Sequence, residues 1–573
     1  MRIVERPYAE ADRRRLLDAG IHPVLARVLA GRRVSSAAEL EYGPDRLHPP
    51  DSMKRLPEAA SLLAEAIVAR KRLLIIADYD ADGATACAVG LRALRGFGAD
   101  VAYLVPDRFR LGYGLSPELV ELAAATDPRG RPDLLITVDN GIASVEGVER
   151  ARALGIATLI TDHHLPGERL PPADCIVNPN QPGCDFPSKA LAGVGVMFYV
   201  ALATRAALRS RGWFDGRPEP NLGALTDLVA LGTVADVVPL DASNRNLVAL
   251  GLKRIRAGQG KAGLHALLAA AGRPHAEVSS FDLGFVLGPR VNAAGRLAEM
   301  SIGIECLATD DEARAANLAQ ELDRLNRDRR KIETHMLQQA LEHLGALERT
   351  AASRQVFFDP AWHQGVVGIL ASRLKDRLHR PVVCFARGEQ SGAAVLKGSG
   401  RSIAGLHLRD CLDLVSKREP GLIQRFGGHA QAAGLTIAEA HLERFAEAFD
   451  RAVEELLPAE ARARTIETDG GLDGAHVTLE VARMLEDGIW GQGFPQPLFC
   501  DNFDVESRRV VGEKHLKLAL RRDGRRYEAM CFNALDKPPS QHNLPSRVRA
   551  AYRLAVNRFN GLSSVQINVE HFE

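Results

Sequence analysis

The stretch "LLIIADYDADGATA", residues 73–86, runs from five apolar residues into three aspartates at alternate positions, Asp78, Asp80 and Asp82, and then into a glycine and small residues. A short apolar run without polar alternation is the pattern of a strand buried on both faces, as in a parallel sheet. The Ala-rich segment 84–97 that follows is helical in period, and so is 143–154. Three further apolar runs lie at 101–105 (VAYLV), 134–138 (LLITV) and 157–161 (ATLIT). Strands alternating with helices predict an α/β fold with a doubly wound parallel sheet. The strand ends carry the chemistry. The run at 134–138 leads into Asp139 of "VDNG", and that at 157–161 leads into Asp162, His163 and His164 of "TDHH". In an open α/β sheet the ligand crevice lies at the carboxyl ends of the strands, so these distant residues are expected to converge there.

Carboxylates gathered in one crevice repel one another unless protonated or neutralised. Imidazoles beside them add nitrogen ligands, and the mixed set suits divalent metal, Mn²⁺ or Mg²⁺. Two such ions about 4 Å apart can activate water and stabilise a leaving oxygen in phosphoryl hydrolysis. Taken singly, each residue has a plainer reading: an Asp after a strand is often a turn or N-cap residue, and a His pair often satisfies local hydrogen bonds. The metal reading rests on the coincidence of three such sites at three strand ends.

At 573 residues the chain exceeds one hydrophobic core, and 46% hydrophobic with 25% charged residues describes a globular protein of two or three domains. No signal-like apolar core and no run of about 18 apolar residues is present, which predicts a cytoplasmic protein without a membrane span. The eight cysteines are scattered without a C-x-x-C pair, against a structural zinc site and in keeping with reduced thiols. A net charge of +1 says little, because a protein that grips a polyanion can confine its positive charge to one channel.

Residues 310–344 hold no proline, begin on an aspartate and carry apolar residues at 318, 322, 325, 332, 337, 341 and 344, predicting one helix on the order of 50 Å long that connects two lobes. Residues 355–386 then read as strand, helix, strand. The segment ends near "FGGHAQAAG", where glycines beside a helix start would let backbone N–H groups approach a phosphate, making Gly427, Gly428 and His429 candidates for substrate backbone contacts. From about 467 the pattern becomes short strands with Asp-Gly and Asn-Gly turns, expected to form a small β-barrel. Residues 508–527 hold eight Lys or Arg against two acids, near Tyr527 and Phe532, a composition suited to tracking a single strand and stacking its bases. Such a run is also an ordinary solvated face.

The words "DYDADG", "VDNG", "TDHH" and "ADVVPL" together resemble the four motifs of the DHH phosphoesterase superfamily. "VPDRFRLGYGLSP" (105–117), "GPRVNAAGRL" (288–297) and "RFGGHAQAAGLTI" (425–437) narrow the resemblance to its RecJ branch of single-strand-specific DNA exonucleases, over essentially the whole chain. The resemblance implies metal ligation by Asp80, Asp82, Asp139, His163 and Asp236. It assigns His164 to the scissile phosphate and Asp162 to buttressing the imidazoles, and leaves Asp78 an open role nearby. It implies substrate contacts for Arg108, Arg290, Asn292, Arg296, Ser399 (or Ser402), Arg401, Gly427, Gly428 and His429. The implied architecture is an N-terminal helical segment (1–50), a DHH catalytic domain with the parallel sheet (51–309), a connector helix (310–345), a smaller α/β DHH-associated domain (346–465) and an OB-fold single-strand-binding barrel (466–573). Two divalent ions, Mn²⁺ or Mg²⁺, would serve hydrolysis of the 5′-terminal phosphodiester of single-stranded DNA. The expected partners are single-stranded DNA, a single-stranded-DNA-binding protein and a helicase, the chain itself being a monomer. Two rival readings remain: a relative that cleaves short RNA, cyclic dinucleotides or pyrophosphate, and a catalytically silent single-strand-binding scaffold.

Overall fold

Five parallel strands form the sheet that the opening stretch predicts, and four of them lie within a residue of the expected limits. Their spatial order is Asp100–Leu104, Arg72–Ala77, Leu134–Val138, Ala157–Thr161 and Cys175–Val177. The last strand, three residues long, escaped the sequence reading because so short a run has no period. The strand order reverses at Arg72–Ala77, so the crevice opens between its carboxyl end and that of Leu134–Val138, where Asp78 and Asp139 emerge. The helix Ala81–Gly96 starts within the acidic turn and is buried along nearly its whole length. Its small residues permit this: a Cβ on Gly90 would lie 3.0 Å from Ile75 Cδ1.

The computed structural model describes residues 1–107, 112–347, 355–390, 393–537, 539–559 and 561–573. These residues divide into two compact units, one of residues 3–324 with 467–573 and the other of 1–2 with 325–466. The N-terminal segment begins with a short strand, Arg2–Glu5, and continues with the expected helices. It is tied to the region just before the barrel by a buried ion pair: Arg32 Nη1 donates to Asp469 Oδ1 at 2.7 Å, and the guanidinium lies 5.3 Å from the Trp490 ring centre. A buried pair of this kind is costly to break, because either partner alone would be a charge without compensation.

The barrel is closed by five strands, Phe499–Val511, His515–Arg522, Arg525–Cys531, Arg547–Phe559 and Leu562–Phe572. A helix, Leu479–Glu486, precedes its first strand.

The long helix spans Glu312–Leu347, and the division between the two units falls inside it, at residues 324 and 325. Its buried stripe differs from the one expected. Ala315, Ala319, Leu322 and Leu325 lead into Asn326, Arg329 and Glu333, all buried, before Met336 and Ala340. Arg329 donates to Glu333 at 2.7 Å and to Asn326 at 2.8 Å, and Arg373 donates to Glu333 at 2.8 Å. A hydrophobic pattern alone misses this face because its polar groups are paired, which removes most of the penalty of burying them.

The second unit has a five-stranded sheet with Val356–Phe358 parallel to Val382–Gln390, joined by the helix Val367–Leu378, as the strand-helix-strand reading predicts. The other strands, Ala393–Arg401, Ala432–Ala438 and Arg425–Gly428, are antiparallel. Gly427 and Gly428 thus lie on an edge hairpin and not at a helix start, which corrects the sequence reading. Gly428 has φ 143°, and a Cβ there would meet Ala432 O at 2.4 Å. Its glycine serves the tight turn.

Candidate active site

The acidic turn divides its three carboxylates among different tasks. Asp80 is the N-cap of Ala81–Gly96: its Oδ1 accepts from Asp82 N at 2.9 Å and Gly83 N at 3.1 Å. The plain N-cap reading is therefore true of one oxygen. Asp82, in the first helical turn, is almost wholly buried and accepts from Gly193 N at 2.6 Å and Val194 N at 2.9 Å, the first amides of the helix Gly193–Ser210. Those amides would otherwise lack partners. Asp78 accepts from Tyr79 N at 2.8 Å.

Asp139 sits one residue past its strand in the left-handed region, φ 63°, which turns its side chain back over the sheet end. Strain of this kind in a non-glycine residue concentrates at functional sites. Asp162 is the hub of the third motif, "TDHH". Its Oδ1 accepts from His163 N at 2.7 Å, His164 N at 3.1 Å and His164 Nδ1 at 2.8 Å, and its Oδ2 accepts from Ile142 N at 2.9 Å. The acceptor fixes His164 as the Nδ1–H tautomer. Asp236 is the C-cap of Thr226–Ala235, so a helix-terminal residue and a site residue are here the same thing.

These side chains converge. His163 Nε2 lies 3.1 Å from Asp139 Oδ1, 3.5 Å from Asp236 Oδ2 and 4.0 Å from Asp82 Oδ2. Three groups with ligand atoms all within 4.8 Å of one another result: Asp82, His163 and Asp236; Asp139, His163 and His164; and Asp78, Asp80 and Asp139. Asp78, whose role was open, joins one of them. Asp139 Oδ1 is sealed from water and accepts no hydrogen bond, although His163 Nε2 is close by. Lone pairs turned into one small space, with oxygen and nitrogen donors from four motifs, fit a pair of divalent cations.

The electrostatics agree. Burial, with the charge of Asp80 next, pushes the Asp82 carboxyl up to about 7. Burial and the surrounding carboxylates push Asp139 and Asp236 well above the usual carboxylate range. Asp162 goes the other way: burial raises it, but the His164 hydrogen bond and the imidazole charges outweigh this and hold it low. Burial opposes charge on His164, yet Asp162 brings it up to about 9.

A sign follows for stability. Carboxyls with folded pKa values above the unfolded 3.8 cost the folded state progressively as pH rises from about 4 through 7. The His164 contribution is also lost upward, between about 6.5 and 9. Chelated protein is therefore expected to melt lower at pH 8 than at pH 5, by about 1 °C for each kcal/mol lost in a unit of this size. Mn²⁺ should raise the melting temperature more at pH 8 than at pH 5. A chelated protein equally stable at both pH values would contradict the clustered charges.

The remaining predicted contacts are distributed as follows. Asn292 Oδ1 accepts from Ala81 N at 2.8 Å and so supports the acidic turn. Arg290 is buried, its guanidinium bonded to Asp323 at 2.9 and 3.0 Å and to Val286 O at 2.7 Å. Arg296 is half-buried near the end of the same helix. Arg108 lies outside the described residues. In the second unit Arg401 donates to Ser399 Oγ at 3.0 Å and to Gly400 O at 2.8 Å, while Ser402 is buried on Leu406 O. A Cβ on Gly368, at the start of Val367–Leu378, would lie 3.0 Å from Ser399 Oγ and 3.1 Å from Arg401 Nη2. His429 is exposed at the hairpin turn.

On the barrel the basic run is largely spent internally. Arg522 bonds Asp501 at 2.7 Å, Arg521 and Arg526 face Glu506, Lys517 faces Glu528, and Lys514 faces Asp536. The Tyr527 hydroxyl is buried, its ring edge-on to Phe503, whereas Phe532 is half exposed.

Several supporting residues went unread in the sequence. Asn178 and Asn180 donate to the carbonyls of His164 and His163 at 2.9 and 2.6 Å, cradling the imidazole turn. Tyr113 Oη lies 3.2 Å from His164 Nδ1 and packs edge-on against Tyr79. A Cβ on Gly193 would fall 2.6 Å from Asp139 Oδ1. "NPN", "GYG" and "AGVG" carried the only signals, and none has a spacing that points to a site.

A parallel sheet with an acidic, histidine-bearing crevice at its strand-order reversal defines a metal-dependent phosphoesterase site. Family models agree along the chain: the DHH family N-terminal domain matches residues 72–233, the DHHA1 domain 350–455 and the RecJ OB domain 468–571. The single-stranded-DNA-specific exonuclease RecJ of Dickeya dadantii is 48% identical over 575 residues, 99% of this chain and 98% of that protein. The Escherichia coli protein of the same name is 47% identical over 98% of both chains. The crystal structure of RecJ from Thermus thermophilus in complex with Mn²⁺ superposes with a TM-score of 0.80 at 32% identity, covering 100% of this chain and 79% of that one. The chain belongs to the RecJ family.

Proposed function

We propose that this protein is a single-stranded-DNA-specific exonuclease that hydrolyses terminal phosphodiesters from the 5′ end and releases 5′-mononucleotides, in DNA repair and recombination. The observation that carries the reading is the convergence of Asp78, Asp80, Asp82, Asp139, His163 and Asp236 within one crevice. Two divalent ions, Mn²⁺ or Mg²⁺, would be held by these residues and would supply water activation and charge neutralisation at the phosphate. His164 would donate to a phosphate oxygen, with Asp162 orienting its ring through Nδ1 at 2.8 Å and holding the His163 backbone N–H at 2.7 Å. Asn292 and the Gly193–Val194 amides hold the acidic turn in place.

Arg401 and Ser399, beside the first turn of Val367–Leu378, suit the 5′-terminal phosphate, since a half-buried guanidinium and helix amides favour an anion. Gly427, Gly428 and His429 are carried as further backbone contacts, and Arg108 and Arg296 as phosphate partners. Phe532 and the basic residues around it on the barrel supply stacking and charge for the single strand behind the cleaved end. A single-stranded-DNA-binding protein and a helicase are its expected partners, and a monomer in the cytoplasm its expected state. No helix of the described residues is long and apolar enough to cross a membrane.

The test offers 5′-labelled and 3′-labelled single-stranded DNA, duplex DNA, short RNA, cyclic dinucleotide and pyrophosphate with Mn²⁺, Mg²⁺ or chelator. Mononucleotide release from the 5′ end of single-stranded DNA, at least about 100-fold faster than from duplex and abolished by chelator, is expected. Preference for any of the small substrates, or binding of the strand without hydrolysis, would overturn the reading.

A further inference from the structure

Two phenylalanines stand out of the surface close to the site and have no part in it so far. Phe281 is 46% and Phe285 65% exposed, and no other described aromatic side chain is as exposed as Phe285. Their rings stack on each other with centres 4.7 Å apart and planes 23° apart. A large apolar surface kept in water is informative in a way that a buried one is not.

The pair is held rigidly. Ser280 Oγ donates to Trp490 O at 2.8 Å and accepts from Trp490 N at 3.2 Å. Ser279 and Asp282 form a reciprocal capping box, and Asp282 also faces Arg273 at 3.6 Å. Leu283 and Leu287 are fully buried on the opposite side. Residues Leu283–Leu287 form a π-helical turn, a local irregularity that recurs at functional positions. A rigid ring loses little freedom on binding, which favours stacking.

The placement points to a ligand. The turn runs directly into the helix Gly288–Leu297, whose Asn292 holds the Ala81 amide of the acidic turn. On its inner side a Cβ at Gly284 would lie 3.1 Å from Val234 Cγ1, and one at Gly288 3.0 Å from Ala235 Cβ, the two residues that precede Asp236. One helical element thus touches the supports of two metal motifs and carries the exposed rings at its outer end. Val237, next to Asp236, is itself 61% exposed.

We propose that Phe281 and Phe285 are a stacking platform for an unpaired nucleobase of the strand held in the adjacent crevice. The inference rests on the single-strand exonuclease reading. Stacking on a ring is tolerant of base identity, as an exonuclease that consumes any sequence requires, and it is open only to a base with a free face. The platform therefore favours single strands by attraction, in addition to any steric exclusion of duplex.

The experiment walks a single abasic site along a 12-residue oligothymidylate and measures binding by anisotropy in an Asp139→Asn background, in which the strand is not consumed. One or two positions should weaken binding about 5- to 150-fold, the range expected for one base–aromatic stack. Those positions should become silent in Phe281→Ala/Phe285→Ala and return in Phe281→Tyr/Phe285→Tyr, with melting temperatures confirming folded protein. An identical walk in the double-alanine protein overturns the platform. Exonuclease activity of the unmodified protein on single-stranded DNA is scored separately, so failure of the underlying reading is recognised by its own result.

Discussion

Replacing Asp139 by Asn is expected to reduce hydrolysis of single-stranded DNA by at least about 1,000-fold, while the chelated protein becomes more stable. Asp139 occupies two of the three ligand groups and approaches His163 Nε2 to 3.1 Å. Its charge is what cations would need, and in their absence it is a burden, because burial and four neighbouring carboxylates all oppose it. Asparagine preserves shape and tolerates the left-handed backbone at φ 63°, so the backbone turn should survive. Loss of one buried like charge should raise the melting temperature in chelator by about 1 °C for each kcal/mol relieved in a unit of this size. The two readouts move in opposite directions, which separates ligand loss from misfolding. Activity within tenfold of wild type would remove Asp139 from the centre.

Gly193→Ala should be nearly as damaging although it adds one methyl group and changes no charge. The new Cβ would lie 2.6 Å from Asp139 Oδ1 and 2.7 Å from its Cβ, closer than real carbon atoms approach. Relief requires that Asp139 swing away or that the helix start tilt, and the tilt would pull the Gly193 and Val194 amides from Asp82. Either movement spoils a ligand group. The expected result is about a 100-fold or greater loss of hydrolysis and about tenfold weaker Mn²⁺ binding by calorimetry. Overpacking should cost about 1–3 kcal/mol of stability. Mn²⁺ affinity and turnover equal to wild type would show that the Asp139 pocket has more room than its geometry indicates.

Much of the catalytic half was legible because its signals are local. Four short apolar runs define four of the five parallel strands, and the acidic or histidine-bearing words follow the strand ends directly. The supports were not legible. Asn178, Asn180 and Gly193 act through backbone carbonyls and close approach, and such contacts leave no pattern of type or spacing. Nor was the partner of Arg290 legible: it stands in a family word, and its guanidinium pairs with Asp323 on the following long helix. The basic run at 508–527 looked like one uninterrupted cationic surface, but cross-strand acids such as Glu506 and Glu528 neutralise much of it. Partners across a barrel are distant in sequence, so a window of local charge does not see them.

By itself the sequence determined the sheet, the crevice and the residue types that meet there, because strand period and chain order dictate where strand ends lie. Only the tertiary structure decided how three similar aspartates differ. Asp80 spends one oxygen capping a helix, Asp82 is gripped by the amides of another helix, and Asp78 joins Asp80 and Asp139 in a third ligand group. That distinction depends on which amides and carbonyls approach each carboxylate, and for Asp82 those come from a segment more than a hundred residues away.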